Sequence, residues 1–120
     1  MDPKELAVRG EDASAVFLER RGHTIVERNW RCRSGEIDII SLDGVAVVFT
    51  EVKTRSGEGC GSPEEAVDAR KQSRIQALAQ RYLAASQLEN VAVRFDVIAI
   101  RYLGDDRALL RHHRDAFGIL

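Results

Sequence analysis

The sequence predicts an α/β fold in which a mixed central β-sheet is flanked by helices. Three observations carry this reading. Helix-type and strand-type segments follow one another in the order α-β-β-β-α-β, so at least one layer of helix must pack on a sheet. Val45 to Lys53 is apolar on both faces, with Val47 and Phe49 on one and Ala46, Val48 and Val52 on the other, as befits a central strand covered from two sides. Two segments, Asp2-Pro3 and Ser62-Pro63, open with a capping residue followed by proline, the signature of a helix start. With 120 residues, 44% hydrophobic and 31% charged, the chain suits a single domain spanning residues 1–120 with enough apolar matter for a core.

The first helix runs from its Asp2 cap through Leu6, Ala13, Val16, Phe17 and Leu18 to a stop at Gly22; Gly10 interrupts its otherwise good helix formers. His23 to Arg31, with Thr24, Ile25, Val26 and Trp30, favours a strand, and Cys32 to Gly35 a turn. A second strand covers Glu36 to Leu42. Asp43-Gly44 then supplies a two-residue hairpin, because both residues tolerate the positive φ of a type I′ turn, and the third strand is Val45 to Lys53. The Gly-rich stretch Ser56 to Gly61 reads as a loop. Ser62 caps the next helix, with Glu65 completing a capping box, and Ile75, Leu78, Ala79, Tyr82 and Leu83 keep helical spacing to about Ser86 with a break near Arg70. Val91 to Tyr102 is a strand, Gly104 to Arg107 a turn, and Ala108 to His113 a short last strand.

Several function classes are excluded at this level. The longest apolar run, Val45 to Phe49, is far below the roughly 20 residues of a membrane-spanning helix, and the N-terminus lacks a signal-peptide layout, so a cytoplasmic location without membrane attachment is expected. Cys32 and Cys60 have no partners at metal-ligand spacing and read as reduced thiols. No phosphate-cradling glycine motif precedes a helix, which leaves nucleotide-triphosphate chemistry unsupported.

Net charge is only −1, but its sign is segregated. Arg28, Arg31 and Arg33 form one acid-free cluster, Lys53 and Arg55 a second, and Arg70, Lys71, Arg74 and Arg81 a third. Such clusters can hold phosphates even on a protein that is not basic overall, or can be ordinary solvated faces. The carboxylates are more telling. A hairpin closed by Asp43-Gly44 pairs Leu42 with Val45, sets Asp38 opposite Phe49 and Glu36 opposite Glu51, and puts Glu36, Asp38, Glu51 and Lys53 on one face. Three acids and a lysine on one patch cost stability unless compensated, and Mg²⁺ or Mn²⁺ is the compensator that hard oxygen ligands prefer. A metal there lowers the pKa of a bound water and neutralises a phosphodiester oxygen, while an ammonium beside it steadies the charge gathering on phosphorus. The competing reading is an aggregation-blocking charged strand with Lys53 in a surface salt bridge.

At these residues the sequence resembles a known family. Asp38, Glu51 and Lys53 match the Asp and Glu-x-Lys signature of the PD-(D/E)XK nuclease superfamily, with Ile37 where its members often carry proline. Arg9-Gly10-Glu11, Arg28-Asn29, Gly35-Glu36-Ile37-Asp38-Ile39-Ile40, Phe49-Thr50-Glu51-Val52-Lys53-Thr54-Arg55, Lys71, Arg94-Phe95-Asp96-Val97 and Asp115-Ala116-Phe117 together resemble the YraN-like family of bacterial proteins. The resemblance implies a restriction-endonuclease-like core, similar to that of archaeal Holliday-junction resolvases. It implies Asp38 and Glu51 as metal ligands, Val52 as a ligand through its carbonyl, Lys53 as the water-positioning or charge-stabilising group, and Glu11 as a helix carboxylate approaching the metal.

The expected activity is a Mg²⁺-dependent endonuclease acting on DNA, branched or junction DNA included. Arg31, Arg33, Arg55, Lys71 and Arg74 are the expected backbone contacts, and a homodimer would supply the two sites that symmetric junction cleavage needs. The alternative is a non-catalytic nucleic-acid-binding module that keeps the fold. His23, His112 and His113 are not placed with the carboxylates, and the vicinal pair points to opposite faces. Asp96 beside Arg94 reads as a structural ion pair or a cap of the sheet, and Trp30 as core.

Overall fold

The computed structural model describes residues 2–56 and 67–118. Its elements are α1 (Pro3–Arg20), β1 (Thr24–Cys32), β2 (Gly35–Asp43), β3 (Ala46–Ser56), α2 (Ala69–Ala85), β4 (Ala92–Gly104) and β5 (Arg107–His113). The strands form one five-stranded sheet in the order β1-β2-β3-β4-β5. Among the described strands only β3 and β4 are parallel; α2 lies in the crossover between them, and every other neighbouring pair is antiparallel. The α/β class and the mixed sheet flanked by helices follow as expected, and the architecture is compatible with a restriction-endonuclease-like core. No described helix is long and apolar enough to cross a membrane.

Each helix covers one face. Under α1 lie Ala15, Leu18, Ile39, Ile98 and Ile100; under α2 lie Ile37, Ile40, Phe49, Ile75, Leu78, Tyr82, Phe95 and Phe117, among others. Full burial of such a side chain is worth about 1.5–3 kcal/mol, so these two clusters dominate the stabilisation. Aromatic rings order the α2 side: Phe49 and Phe117 stack on Phe95, and Trp30 meets Tyr82 edge-on, which makes Trp30 part of the packing rather than a free platform. α1 approaches β3 so closely that only glycine fits at position 10, where an added Cβ would stand 2.0 Å from Thr54 Cγ2.

The β2–β3 hairpin turns one residue later than the sequence reading places it, which slides the pairing register by two. Asp43 pairs with Ala46, so the loop is Gly44-Val45; Gly44 has φ +61° and Val45 does not share the positive φ, which is the type II′ pattern rather than I′. Leu42 therefore faces Val47, and Phe49 faces Ile40 instead of Asp38. The slide is by two residues, so the side-chain alternation survives it, and continuing the register brings Asp38 level with Glu51. Strand ends also extend by a residue or more beyond the expected limits, to Asp43 in β2 and Ser56 in β3. The expected helix start at Ser62–Glu65 lies outside the described residues. Within them α2 starts at Ala69, capped by Asp68, whose carboxylate accepts the Lys71 N–H at 3.0 Å.

The end of the sheet near the β2–β3 turn is fastened by a buried polar network. Asp96, fully buried, accepts two hydrogen bonds from Arg94, one from the Asp115 N–H and one contact from His112 Nε2 at 2.7 Å. Arg94 also reaches Asp43 at 2.8 Å, and His23 Nδ1 lies 2.9 Å from Ser41 Oγ. Burial alone would raise the Asp96 pKa, but His112, Arg94 and the Asp115 N–H outweigh it and hold the carboxyl far below the usual range. Of the two roles anticipated for Asp96, the ion pair is the one present.

Candidate active site

β2 and β3 part company at the residues that carry the acids. Their paired positions run from Asp43–Ala46 to Ile39–Thr50, and beyond that point the Asp38 side chain replaces a ladder bond: Oδ2 accepts the Val52 N–H at 2.8 Å. Alternation in β2 breaks here as well, since Ile37 and Ile40 both join the cluster under α2 while Ile39 lies under α1. In β3 the pattern is regular. Val47 and Phe49 pack under α2, so Glu51 and Lys53 project to that side too.

Asp38 and Glu51 thereby line one cleft of about 250 Å³ between the β2–β3 fork and α2, together with Gly35, Glu36, Lys71, Arg74, Ile75 and Leu78. Ile75 and Leu78 from α2 supply its apolar lining. Glu51, 9% exposed, receives two ammonium groups on the same oxygen: Lys71 Nζ at 2.9 Å and Lys53 Nζ at 3.3 Å from Oε1. Lys71 thus stands in the cleft itself, on Glu51. The Asp68 cap sets the first turn of α2 and with it this lysine, a link that the spacing Asp68-x-x-Lys71 carries in the sequence.

Electrostatics follow from burial. Desolvation first, then the Glu51 charge, push the Asp38 carboxyl up to about 7 against the Val52 N–H, which favours its charged form; Glu11 and Glu36 add smaller repulsions. Burial and the neighbouring Lys71 hold Lys53 below the ordinary lysine value although Glu51 acts the other way. For Lys71 burial also lowers, yet its contact with Glu51 and the charges of Glu51 and Asp38 raise it overall. Glu11, half-buried on α1, has its pKa raised by burial despite a hydrogen bond from Asn29 and Arg28 at 3.9 Å.

The remaining candidates divide. Glu36 lines the cleft but is bonded by Arg31 at 2.8 Å, so Arg31 neutralises an acid of the site's rim as it stands. Arg33 is exposed in the β1–β2 turn, Arg55 is exposed near the end of β3, and Arg74 lines the cleft. Among the described residues no three Asp, Glu, His or Cys side chains converge closely enough to hold a cation without rearrangement. The donor chemistry nonetheless suits a hard one. Two carboxylates share the cleft, and burial, with their mutual repulsion second, raises the Asp38 pKa to about 7, the condition a divalent ion relieves.

Comparison with known proteins points one way. The profile of the uncharacterised protein family UPF0102 matches residues 10–100, which span every residue of the cleft. The chain is 46% identical over 114 residues to the UPF0102 protein of Geobacter sulfurreducens, covering 95% of this chain and 89% of the relative. It is 48% identical over 112 residues to that of Rhodococcus jostii (93% and 95% covered), and 42% identical over 117 residues to that of Clostridium perfringens (97% and 96% covered).

Proposed function

This chain belongs to the uncharacterised protein family UPF0102, and from the chemistry of its acidic cleft we propose that it is a metal-dependent endonuclease hydrolysing DNA phosphodiesters, branched DNA included. The observation that carries the reading is the meeting of Asp38 and Glu51 in one secluded cleft, with Lys53 on Glu51. Asp38, Glu51 and the Val52 carbonyl would hold Mg²⁺ or Mn²⁺, which when bound supplies a more acidic water and charge neutralisation at the phosphodiester. Lys53, held by Glu51, presents an ammonium to the charge that develops on the phosphoryl oxygens. Glu11 adds negative potential from α1, and Arg74 at the cleft rim contacts the backbone of the bound strand. A homodimer would provide paired cuts on a junction; light scattering that returns only monomer, with and without DNA, refutes that part.

The test is a cleavage assay over four-way, flapped, single-stranded and linear DNA in Mg²⁺ and Mn²⁺. Wild type should cut at least one of them, and Asp38→Ala and Lys53→Ala should each abolish cutting while binding persists. A second reading, a DNA-binding module without catalysis, is favoured by Glu51 being bridged by two lysines. It prevails if wild type binds DNA but leaves every substrate intact.

A further inference from the structure

Strand β1 carries a backbone irregularity beside the acidic fork. Asn29 has φ +54°, in the left-handed region that strains most side chains and that asparagine tolerates better than others. The other described non-glycine residues with positive φ are Gln87, Asn90, Asp105, Asp106 and Asp115, and all of them stand in turns or bends; Asn29 stands inside a strand. The paired positions of β1 and β2 step from Arg28–Ile39 to Trp30–Ile37, so Asn29 comes level with Asp38. Asp38 is also the residue that has left the β2–β3 ladder to accept the Val52 N–H. The Asn29 side chain, meanwhile, donates a hydrogen bond to Glu11 on α1. Glu11 is the secluded member of its pair, its side chain 15% exposed against 59% for Asp12, and Arg28 lies 2.7 Å from Asp12 but 3.9 Å from Glu11.

We propose that Asn29 is a positioning residue of the acidic cleft: its amide holds the Glu11 carboxylate toward Asp38, and its left-handed backbone sets Asp38 off the ladder. A strained residue inside a regular element persists only where its surroundings fix it, and the neighbours of Asn29 are two acids of one site. The neutrality of the donor matters chemically. Glu36 is bonded by Arg31 and Glu51 by Lys53 and Lys71, so full cations offset both of those carboxylates. Arg28 is committed to Asp12, and an amide orients Glu11 while leaving its charge to be felt at Asp38. Groups that orient the carboxylates around a metal are worth roughly 10–100-fold in its affinity. The inference rests on the reading of the cleft as a divalent-cation site, not on its cutting DNA.

Mn²⁺ binding, followed by loss of the free-ion EPR signal, tests it apart from catalysis. Asn29→Gly keeps the positive φ accessible and deletes the amide, so its unfolding midpoint in EDTA should stay within about 3 °C of wild type. Its Kd for Mn²⁺ should rise about tenfold, as should that of Glu11→Ala, whereas adding Asn29→Gly to Glu11→Ala should change Kd by less than about twofold. Asn29→Ala gives up the tolerance of positive φ as well, and should weaken binding beyond the glycine variant even when Glu11 is alanine. Equal Kd in the alanine and glycine variants overturns the backbone part. An unchanged Kd in Asn29→Gly, an earlier midpoint with Kd unchanged, or additive effects of Asn29→Gly and Glu11→Ala would each overturn the proposal while leaving the cation site in place. No Mn²⁺ binding by wild type sinks the cation reading and this inference with it; coupled variants in a protein that cuts no DNA sink the nuclease alone.

Discussion

Asp38→Asn should make the protein more stable and inactive at once. The carboxyl is held at about 7 in the fold against 3.8 as its ordinary value, a raised pKa, so folding is opposed wherever the unfolded chain is ionised and the native one resists ionisation. The sign is therefore a penalty that is absent below about pH 4, grows as pH rises, and is complete above about pH 7. Three units at about 1.36 kcal/mol each make it about 4 kcal/mol at the upper end, before neighbouring charges and water relax around the ion. Asparagine keeps an oxygen for the Val52 N–H, bonded at 2.8 Å in the wild type, and so removes the charge without orphaning the donor. Urea unfolding in EDTA should show the variant more stable by about 2–4 kcal/mol at pH 8, with the gap less than half as large at pH 5. Taking the difference between the two proteins at each pH cancels His23 and Asp96, whose titrations they share. Millimolar Mg²⁺ should stabilise wild type at pH 8 and the variant far less, since a ligand that binds only the folded form stabilises by mass action. A variant no more stable than wild type at pH 8 would refute the argument that burial and Glu51 strain this site.

Two other perturbations probe the scaffold. Gly10→Ala forces a methyl group against Thr54, a clash worth about 1–3 kcal/mol against at most about 1 kcal/mol gained in helix propensity, so thermal unfolding should come earlier; adding Thr54→Ser, which deletes the offending methyl, should recover most of the loss. Asp96→Asn should cost about 3–5 kcal/mol at pH 7, because it leaves Arg94 and His112 without their buried partner. Asp96 has a depressed pKa, so its contribution is present above about pH 4 and fades as pH falls further; the gap between wild type and this variant should narrow in acid denaturation.

How much of this was legible depends on which physical signal each feature leaves in the chain. The order of elements, the Asp2 cap and the two-sided burial of β3 are local patterns, and they stand in the structure as read. The turn was misplaced because Gly44 serves a I′ turn as its second central residue and a II′ turn as its first, and the dipeptide Asp43-Gly44 does not distinguish them. Asp38 and Glu51 still met, since a slide of two residues leaves a period of two intact; a slide of one would have parted them. Tertiary contacts leave no such trace. That Lys71 reaches Glu51 and that Arg31 is taken by Glu36 depend on how α2 and β1 are laid against the hairpin. The two lysines on one Glu51 oxygen are the fold's own compensation for clustered acids, and they leave Asp38 without an equal share of it. The cleft is thus incompletely neutralised at the residue where a cation would contribute most, which ties the instability of Asp38 to the function assigned to it.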